Sequence, residues 1–391
     1  MTSSFLTQIG NDINGEIAND YSGWSVSLSA DGAVIAIGAT NNSANGNNSG
    51  HARIYKNVNN TWTQVGSDID GEVAEDELGY SVSLSSDGNV VAVGAHQNLT
   101  GSGYVRIYKN VNNTWTQVGS DIDGDAAGDN SGRSVSLSAD GNVVAIGSLL
   151  ASEDSSGHVR IYKNINNIWT QIGSDIDGED ANSFSGRSVS LSSDGNVVAI
   201  GAYTNDGSGS DSGHVRIYQN VNNIWTQVGS DIDGVAAEDS SGISVSLSED
   251  GSIVAIGAPG NDGNGSNSGH TRVYQLDIDT TAPSAPSSLT TTTTTNDNTP
   301  IITGIAEAGS TVKLYNGSIL LGSATASTDG AFSITSSALN DATYSLTATA
   351  TDAAGNTSSL SSALSIEVNI SGNNSAEIFT DLEIKSDLSL L

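Results

Sequence analysis

From residue 5 to residue 277 the chain is built of short runs in which apolar and small polar residues alternate, each closed by Gly, Asp or Asn. Tyr80-Ser81-Val82-Ser83-Leu84 alternates with period two, Ser86-Asp87-Gly88-Asn89 supplies a turn, and Val90-Val91-Ala92-Val93-Gly94 returns. This pattern predicts an antiparallel hairpin. A second hairpin follows, in which Val105-Arg106-Ile107-Tyr108 and Trp115-Thr116-Gln117-Val118 flank a turn at Asn110-Val111-Asn112-Asn113. Each unit therefore supplies four antiparallel strands, a to d in chain order.

The unit recurs. The glycine that ends strand d falls at Gly10, Gly66, Gly119, Gly173 and Gly229, in steps of 56, 53, 54 and 56 residues. Four strands in a period of this size make a propeller blade, a twisted sheet that buries both faces against its neighbours. Strands a, b and c occur five times, the last set ending at Arg272-Val273-Tyr274. The fourth strand missing there is found at the other end, where Phe5-Leu6-Thr7-Gln8-Ile9 matches Trp62-Thr63-Gln64-Val65. The expectation is a five-bladed β-propeller over residues 1–278, its ring closed by the N-terminal strand, with a fragment of a larger ring as the alternative.

The pattern changes after Asp279. Residues 279–287 contain Pro283 and Pro286 and read as a linker, and the run Thr290 to Thr295 suits extended chain. Alternating segments then follow at Thr311-Val312-Lys313-Leu314-Tyr315, Ile319-Leu320-Leu321-Gly322, Phe332-Ser333-Ile334, Tyr344-Ser345-Leu346-Thr347-Ala348 and Leu364-Ser365-Ile366-Glu367-Val368. They predict a small β-sandwich over residues 288–370, so the whole chain is all-β. The tail, 371–391, is polar and then weakly amphipathic and receives no assignment.

Two resemblances follow from these residues. Gly79-Tyr80-Ser81-Val82-Ser83 through Val93-Gly94-Ala95, and Gly242-Ile243-Ser244-Val245 through Ile256-Gly257-Ala258-Pro259, resemble the FG-GAP repeats of integrin alpha-chain propellers and their bacterial relatives. Ser85-Ser86-Asp87-Gly88 followed by Val105-Arg106-Ile107-Tyr108 also resembles the strand grammar of tryptophan-aspartate repeats. The resemblance implies a propeller and says little about function, because such folds host unrelated activities. Calcium-binding integrin repeats carry their ligands in the a-to-b loop; here that loop is a tight turn with one carboxylate, so those ligands do not carry over. In the second region, Asp279-Thr280-Thr281-Ala282-Pro283, Gly309-Ser310-Thr311-Val312 and Thr351-Asp352-Ala353-Ala354-Gly355-Asn356-Thr357 resemble the bacterial Ig-like domains of large surface adhesins. That resemblance implies a spacer or binding stalk, with calcium at domain junctions in some members. Asp277, Asp279 and Asp352 would serve that role.

Charge narrows the partners. There are 44 Asp and Glu against 12 Lys and Arg, a formal net charge of -32. Phosphate backbones and anionic lipid are repelled, which excludes nucleic acid and a membrane surface, whereas cations are attracted. No apolar run is long enough to insert in a membrane. Met1 to Gly10 lacks a basic region and an apolar region, so an extracellular or cell-surface location requires a C-terminal export signal or a longer parent chain. With no cysteine, disulfides and thiol chemistry are excluded.

The acids have their own period. Asp68, Asp70 and Asp76 recur as Asp121, Asp123, Asp129 and as Asp231, Asp233, Asp239, with Asp12, Asn14, Asp20 first and Asp175, Asp177, Ser183 in the fourth copy. Asp-x-Asp-Gly between strand d and the next strand a offers two carboxylates and a turn, and calcium is the hard cation such oxygens suit. The plain alternative is that Asp and Gly make the turn by bonding to their own backbone. With strands running alternately up and down, the d-to-a and b-to-c loops share one face, which gathers Asp206, Asp211 and Asp262 there as well, candidate ligand-binding acids of the b-to-c loops.

Strand c carries a second ladder. His51, Arg53, Tyr55 recur as Tyr104, Arg106, Tyr108, as His158, Arg160, Tyr162, as His214, Arg216, Tyr218 and as His270, Arg272, Tyr274. Residues two apart share a strand face, so the row reads either as five equivalent ligand sites or as packing, Arg pairing with acids of the next blade. Packing is the simpler reading, for this row and for Trp62, Trp115, Trp169 and Trp225. Trp24 differs: its row continues as Tyr80, Arg133, Arg187 and Ile243, varied enough to be exposed and to touch ligand. The expected function is a non-enzymatic adhesion protein whose partner is a protein or glycan on a surface or matrix. A multivalent lectin is the alternative; a glycosidase would need an unrepeated carboxylate pair, and the acids here are periodic.

Overall fold

The computed structural model describes residues 7–98, 101–151, 154–279, 281–291 and 297–370, and these contain strands and turns with no helix. The chain divides into two compact units, Met1–Ile278 and Asp279–Leu391.

In the first unit β1 (Ser22–Leu28), β2 (Val34–Ala39), β3 (His51–Val58) and β4 (Thr61–Gln64) pair in that order. A two-residue strand, β5 (Ile69–Asp70), pairs with the start of β3 beyond the end of β4. The arrangement repeats as β6 (Ser81–Leu84), β7 (Val90–Ala95), β8 (Tyr104–Val111), β9 (Thr114–Gln117) and β10 (Ile122–Asp123). It repeats again as β11 (Ser131–Leu137), β12 (Val143–Ser148), β13 (His158–Ile165), β14 (Ile168–Gln171) and β15 (Ile176–Asp177), then as β16 (Ser185–Leu191), β17 (Val197–Ala202), β18 (His214–Val221), β19 (Ile224–Gln227) and β20 (Ile232–Asp233). The fifth sheet has three strands, β21 (Ser244–Leu247), β22 (Ile253–Ala258) and β23 (His270–Gln275). One correction follows: Ile69–Asp70 and its equivalents are an outer-strand segment, not part of a loop. Ile69 is the reason, since it follows the alternation inward and is buried.

Local chemistry makes the turns. In the a-to-b turn Asp87 accepts from Ser85 Oγ and from the amide of Asn89, which uses up the carboxylate. The c-to-d turns place Asn59-Asn60, Asn112-Asn113, Asn166-Asn167 and Asn222-Asn223 at positive φ, the conformation a two-residue hairpin turn requires and Asn tolerates.

Neighbouring sheets are joined in two layers. Val and Leu of Ser-Val-Ser-Leu face the preceding sheet: Val82 and Leu84 pack with Val34, Ala36, Ala52, Ile54 and Ile69. The serines face the following sheet, where Ser25 Oγ donates to the Gly79 carbonyl at 2.7 Å and Ser27 Oγ accepts from the Leu84 amide at 2.9 Å. This close approach explains the Gly-Ala that ends strand b, because a Cβ on Gly38 would lie 1.9 Å from the Gly79 oxygen. Farther out, Trp115, Trp169 and Trp225 each donate Nε1 to a carbonyl at the end of the preceding sheet's strand d, on Val65, Val118 and Ile172.

Among the described residues nothing covers the two ends of this array. Ile54, Ile107, Ile161 and Ile217 are at most 2% exposed, whereas Val273 at the same position is 65% exposed. At the first sheet Val26 and Leu28 are 61% and 57% exposed, against 9% and 7% for Val82 and Leu84. The expected pairing of Phe5–Ile9 with β23 falls partly outside the described residues, and β23 has no fourth-strand partner among those that are described. Ile9 instead lies against the first sheet, its carbonyl accepting from Trp62 Nε1.

In the second unit β24 (Ser287–Thr291), β25 (Ile301–Ile305) and β28 (Ala331–Thr335) form one sheet, and β27 (Ile319–Thr325), β26 (Thr311–Asn316), β29 (Ala342–Thr351) and β30 (Leu364–Val368) the other. Ile302, Val312, Leu314, Phe332, Ile334 and Leu346 fill the space between them, the arrangement of an Ig-like sandwich. Part of the threonine run and the tail 371–391 lie outside the described residues.

Candidate functional site

The face carrying the d-to-a crossings and b-to-c loops gathers most of the titratable groups. The two kinds of segment, expected on one face, are also bonded together: the amides of Gly71, Glu75 and Leu78 donate to the carbonyls of Gly50, Asn47 and Ser49. The three acids of each repeat nevertheless take three separate roles.

The first acid meets strand c. Arg106, 4% exposed, donates from Nε and Nη2 to Asp121 at 2.9 and 2.7 Å, and Arg160 holds Asp175 in the same way. Burial alone would raise the Asp121 carboxyl, but hydrogen bonds from Arg106 and Gln117 outweigh it and hold it below the usual range. Each guanidinium also reaches back to the preceding crossing, to Glu72 and to Asp125 respectively. The partner acids therefore come from the same blade and the one before it; the next blade, expected from the sequence, does not supply them. In the first and fourth sheets the guanidinium leaves the first acid: Arg53 donates to the Asn14 carbonyl and lies 3.7 Å from Glu16, and Arg216 donates to the Asp177 carbonyl and lies 3.2 Å from Glu179. Asp68 and Asp231 then face histidine, lying 3.7 and 3.5 Å from Nδ1 of His51 and His214.

The second acid, Asp70, Asp123, Asp177 or Asp233, lies on the short outer strand. Asp70 and Asp177 pair in register with His51 and His158, and Asp70 is raised by burial and then by Asp68. The third acid belongs to the crossing itself. Asp20, Asp76, Asp129 and Asp239 are buried and accept backbone amides three or four residues back. They close the turn, as does Ser183 by donating to the Asp180 carbonyl. Asp12 accepts from Gln8.

What the structure does bring together is Glu16, His51 and Asp68, then His158, Asp175 and Asp177, then Glu179, His214 and Asp231, each with ligand atoms within 4.8 Å of one another. Sequence reasoning missed the glutamates and placed the histidines among packing residues. Glu16 and His51 are 35 positions apart, although the same His and Glu recur in the fourth sheet. Nδ1 and Nε2 of His51 and Nδ1 of His214 are buried without a hydrogen-bond partner. Three side-chain donors, one of them an imidazole nitrogen, supply few of the six to eight oxygens calcium takes; backbone carbonyls and water would have to complete the shell.

The proposed ligand-loop acids also work locally. Asp206 accepts the amide of Asp211, itself at positive φ, and Asp262 that of Asn267. In the second unit Asp352 accepts from the amide and side chain of Asn356. Between sheets lie two equivalent grooves of about 370 and 330 Å³, one lined by Ser120, Asp121, Asp123, Tyr162 and Trp169, the other by Ser174, Asp175, Asp177, Tyr218 and Trp225.

Trp24 is 51% exposed, as the sequence suggested, and it is not isolated. Its ring lies 6.4 Å from Tyr21 and 5.4 Å from Tyr80, Tyr80 lies 3.9 Å from His96, and the Arg133 guanidinium sits 4.4 Å above Tyr80. Phe184 stacks on Tyr203 at 5.8 Å.

Comparison with known proteins agrees with this architecture. Residues 15–55 and 231–274 match the FG-GAP repeat model, and residues 272–369 match the model of a bacterial Ig-like domain. The chain thus joins a propeller-type repeat region to an Ig-like domain, a combination typical of extracellular adhesion-type proteins. No curated protein matches it. Among solved structures it is similar to a candidate 6-phosphogluconolactonase from Bacteroides uniformis, with 13% identity over 72% of this chain and 81% of that one and a TM-score of 0.42. No helix in the described residues is long and apolar enough to cross a membrane.

Proposed function

We propose that this chain is a non-enzymatic binding protein of the cell exterior, with the repeat region as interaction head and the Ig-like domain as stalk. The observation that carries the reading is the division of labour among polar residues. Those that recur in every repeat are spent on turns and on joining sheets, and they include the acids a glycosidase would need. Those that vary between repeats meet at the starts of the innermost strands, where a ligand has access. The ligand is a protein or glycan on a surface or matrix. The test is saturable binding of the labelled full chain to matrix proteins, bacterial surfaces and a glycan array; binding no better than an inert acidic protein refutes it, as does turnover of glycoside substrates.

A stabilising cation, calcium in the first instance, belongs at the two junctions where the guanidinium meets the glutamate and not the aspartate, Glu16–Asp68 and Glu179–Asp231. The multivalent lectin remains the second reading. The repeated grooves beside Trp169 and Trp225 favour it over the His-Arg-Tyr row, whose Arg and His, or Tyr104 in place of His, are buried in the first to fourth sheets. Trp169→Ala together with Trp225→Ala would then abolish glycan binding.

A further inference from the structure

The seven arginines fall into two groups. Arg53, Arg106, Arg160, Arg216 and Arg272 lie on strand c and bond to carboxylates or carbonyls of the crossings. Arg133 and Arg187 lie on the innermost strands β11 and β16, and among the described residues neither guanidinium is within 4 Å of a carboxylate. In a protein of net charge -32 this sets them apart from Arg53, Arg106, Arg160 and Arg216, each of which has a carboxylate within 4 Å. Ser134 Oγ donates to the Gly186 carbonyl at 2.8 Å, so the two arginines stand on neighbouring strands that are bonded together beside them; burial holds Arg133 below its ordinary value, opposed by Tyr80, Tyr203 and Glu77, with Arg187 adding to the depression. Nε of Arg133 is buried without a partner.

Aromatic rings frame this pair. Tyr80 lies under Arg133 and touches Trp24, while Tyr203, stacked on Phe184, is within electrostatic reach of Arg133. Phe184 and Tyr21 occupy the left-handed backbone region at φ +52° and +56°, where the equivalent positions hold Glu77, Asn130 and Ser240. A bulky residue there costs about 1–2 kcal/mol, so the rings are kept for something other than the turn.

We propose that Arg133 and Arg187, with Tyr80, Trp24 and Tyr203 around them, bind a carboxylated sugar, a uronic acid residue of an extracellular glycan. The guanidinium groups take the carboxylate, for which their planar fork of donors is suited. The rings take the apolar face of the pyranose. The acidic surface around the pair repels an extended, densely charged polymer such as nucleic acid, and a short uronic acid oligomer, with few carboxylates and one of them held between two cations, meets far less of that barrier. This inference rests on the reading of the chain as a binding protein and narrows it to one unrepeated site.

The experiment is isothermal titration of the full chain with trigalacturonate and with its methyl ester, which keeps the rings and removes the charge. The acid form is expected to bind at least tenfold more tightly than the ester, and to weaken as salt rises. Arg133→Gln with Arg187→Gln should cut the affinity for the acid at least tenfold, and Trp24→Ala should weaken both forms, with melting temperatures checking that the variants fold. Equal binding of acid and ester, undiminished binding by the double variant, or no binding of the trimer at millimolar concentration would each overturn the proposal. Attachment to matrix proteins retained by the double variant would leave the broader binding function standing.

Discussion

Replacing Arg106 by Met tests the claim that the recurring arginines act as cations between sheets. Met keeps most of the stem but removes the donors that reach Asp121 and Glu72. Breaking a fully buried pair costs about 3–5 kcal/mol, because the remaining charge is left unpaired. The Asp121 side chain here is 29% exposed, so water recovers part of that loss and the cost falls to about 2–3 kcal/mol. For a unit of this size that lowers Tm by about 4–6 °C. Asp121→Asn leaves Glu72 to neutralise the guanidinium and should cost about 1 kcal/mol. If the bond is as described, the double variant is less damaged than the sum, with a coupling of about 1–2 kcal/mol. Urea and thermal unfolding, followed in the far and near ultraviolet to check that the transitions coincide, measure all three variants. Additivity within about 0.5 kcal/mol would refute the reasoning. The pH dependence adds a check. Because Asp121 is depressed in the folded state, its stabilisation is present above its unfolded value and is lost as pH falls through its folded value, and Arg106→Met should remove most of that acid sensitivity.

The remaining predictions concern the core, the glycines, the cation and a histidine. Ile107→Ala should cost about 2–5 kcal/mol, whereas Val273→Ala, at the same position on the uncovered last sheet, should stay within about 0.5 kcal/mol; equal costs would mean that face is covered. Gly147→Ala places a methyl group 2.1 Å from the Gly186 oxygen and should leave little folded protein by circular dichroism, while Gly23→Ala meets nothing and should cost only the strain of its positive φ. Millimolar calcium added to chelated protein should raise Tm, and Asp68→Asn with Asp231→Asn should abolish the increase while Asp175→Asn leaves it; an unchanged melting curve removes the ion. Burial, then Arg133, lowers His96 to about 3, with Glu77 3.7 Å away and Tyr80 against the ring. The unfolded chain therefore binds a proton that the folded one refuses, and stability should fall as pH drops from about 6.5 towards 5. His96→Gln should flatten that slope in melts run across the range.

Much of the fold was legible because it rests on chemistry acting within a few residues. Alternation in Ser81-Val82-Ser83-Leu84, the Asp87-Gly88 turn and the Asn112-Asn113 turn each specify a local conformation, and the 53-to-56-residue period says that it is repeated. The sequence also determined that the acids recur with fixed spacing and that the row of Trp24 varies. Tertiary structure alone decided what those residues meet. The partners lie far apart along the chain: Ser25 bonds a residue 54 positions away, Trp115 one 50 away and Arg53 one 39 away. No local pattern ranks such partners, so three aspartates of one motif could not be told apart as an Arg partner, a strand residue and a turn closure. For the same reason the uncovered faces at Val26 and Val273 and the meeting of Arg133 with Arg187 emerge only when the sheets are packed side by side.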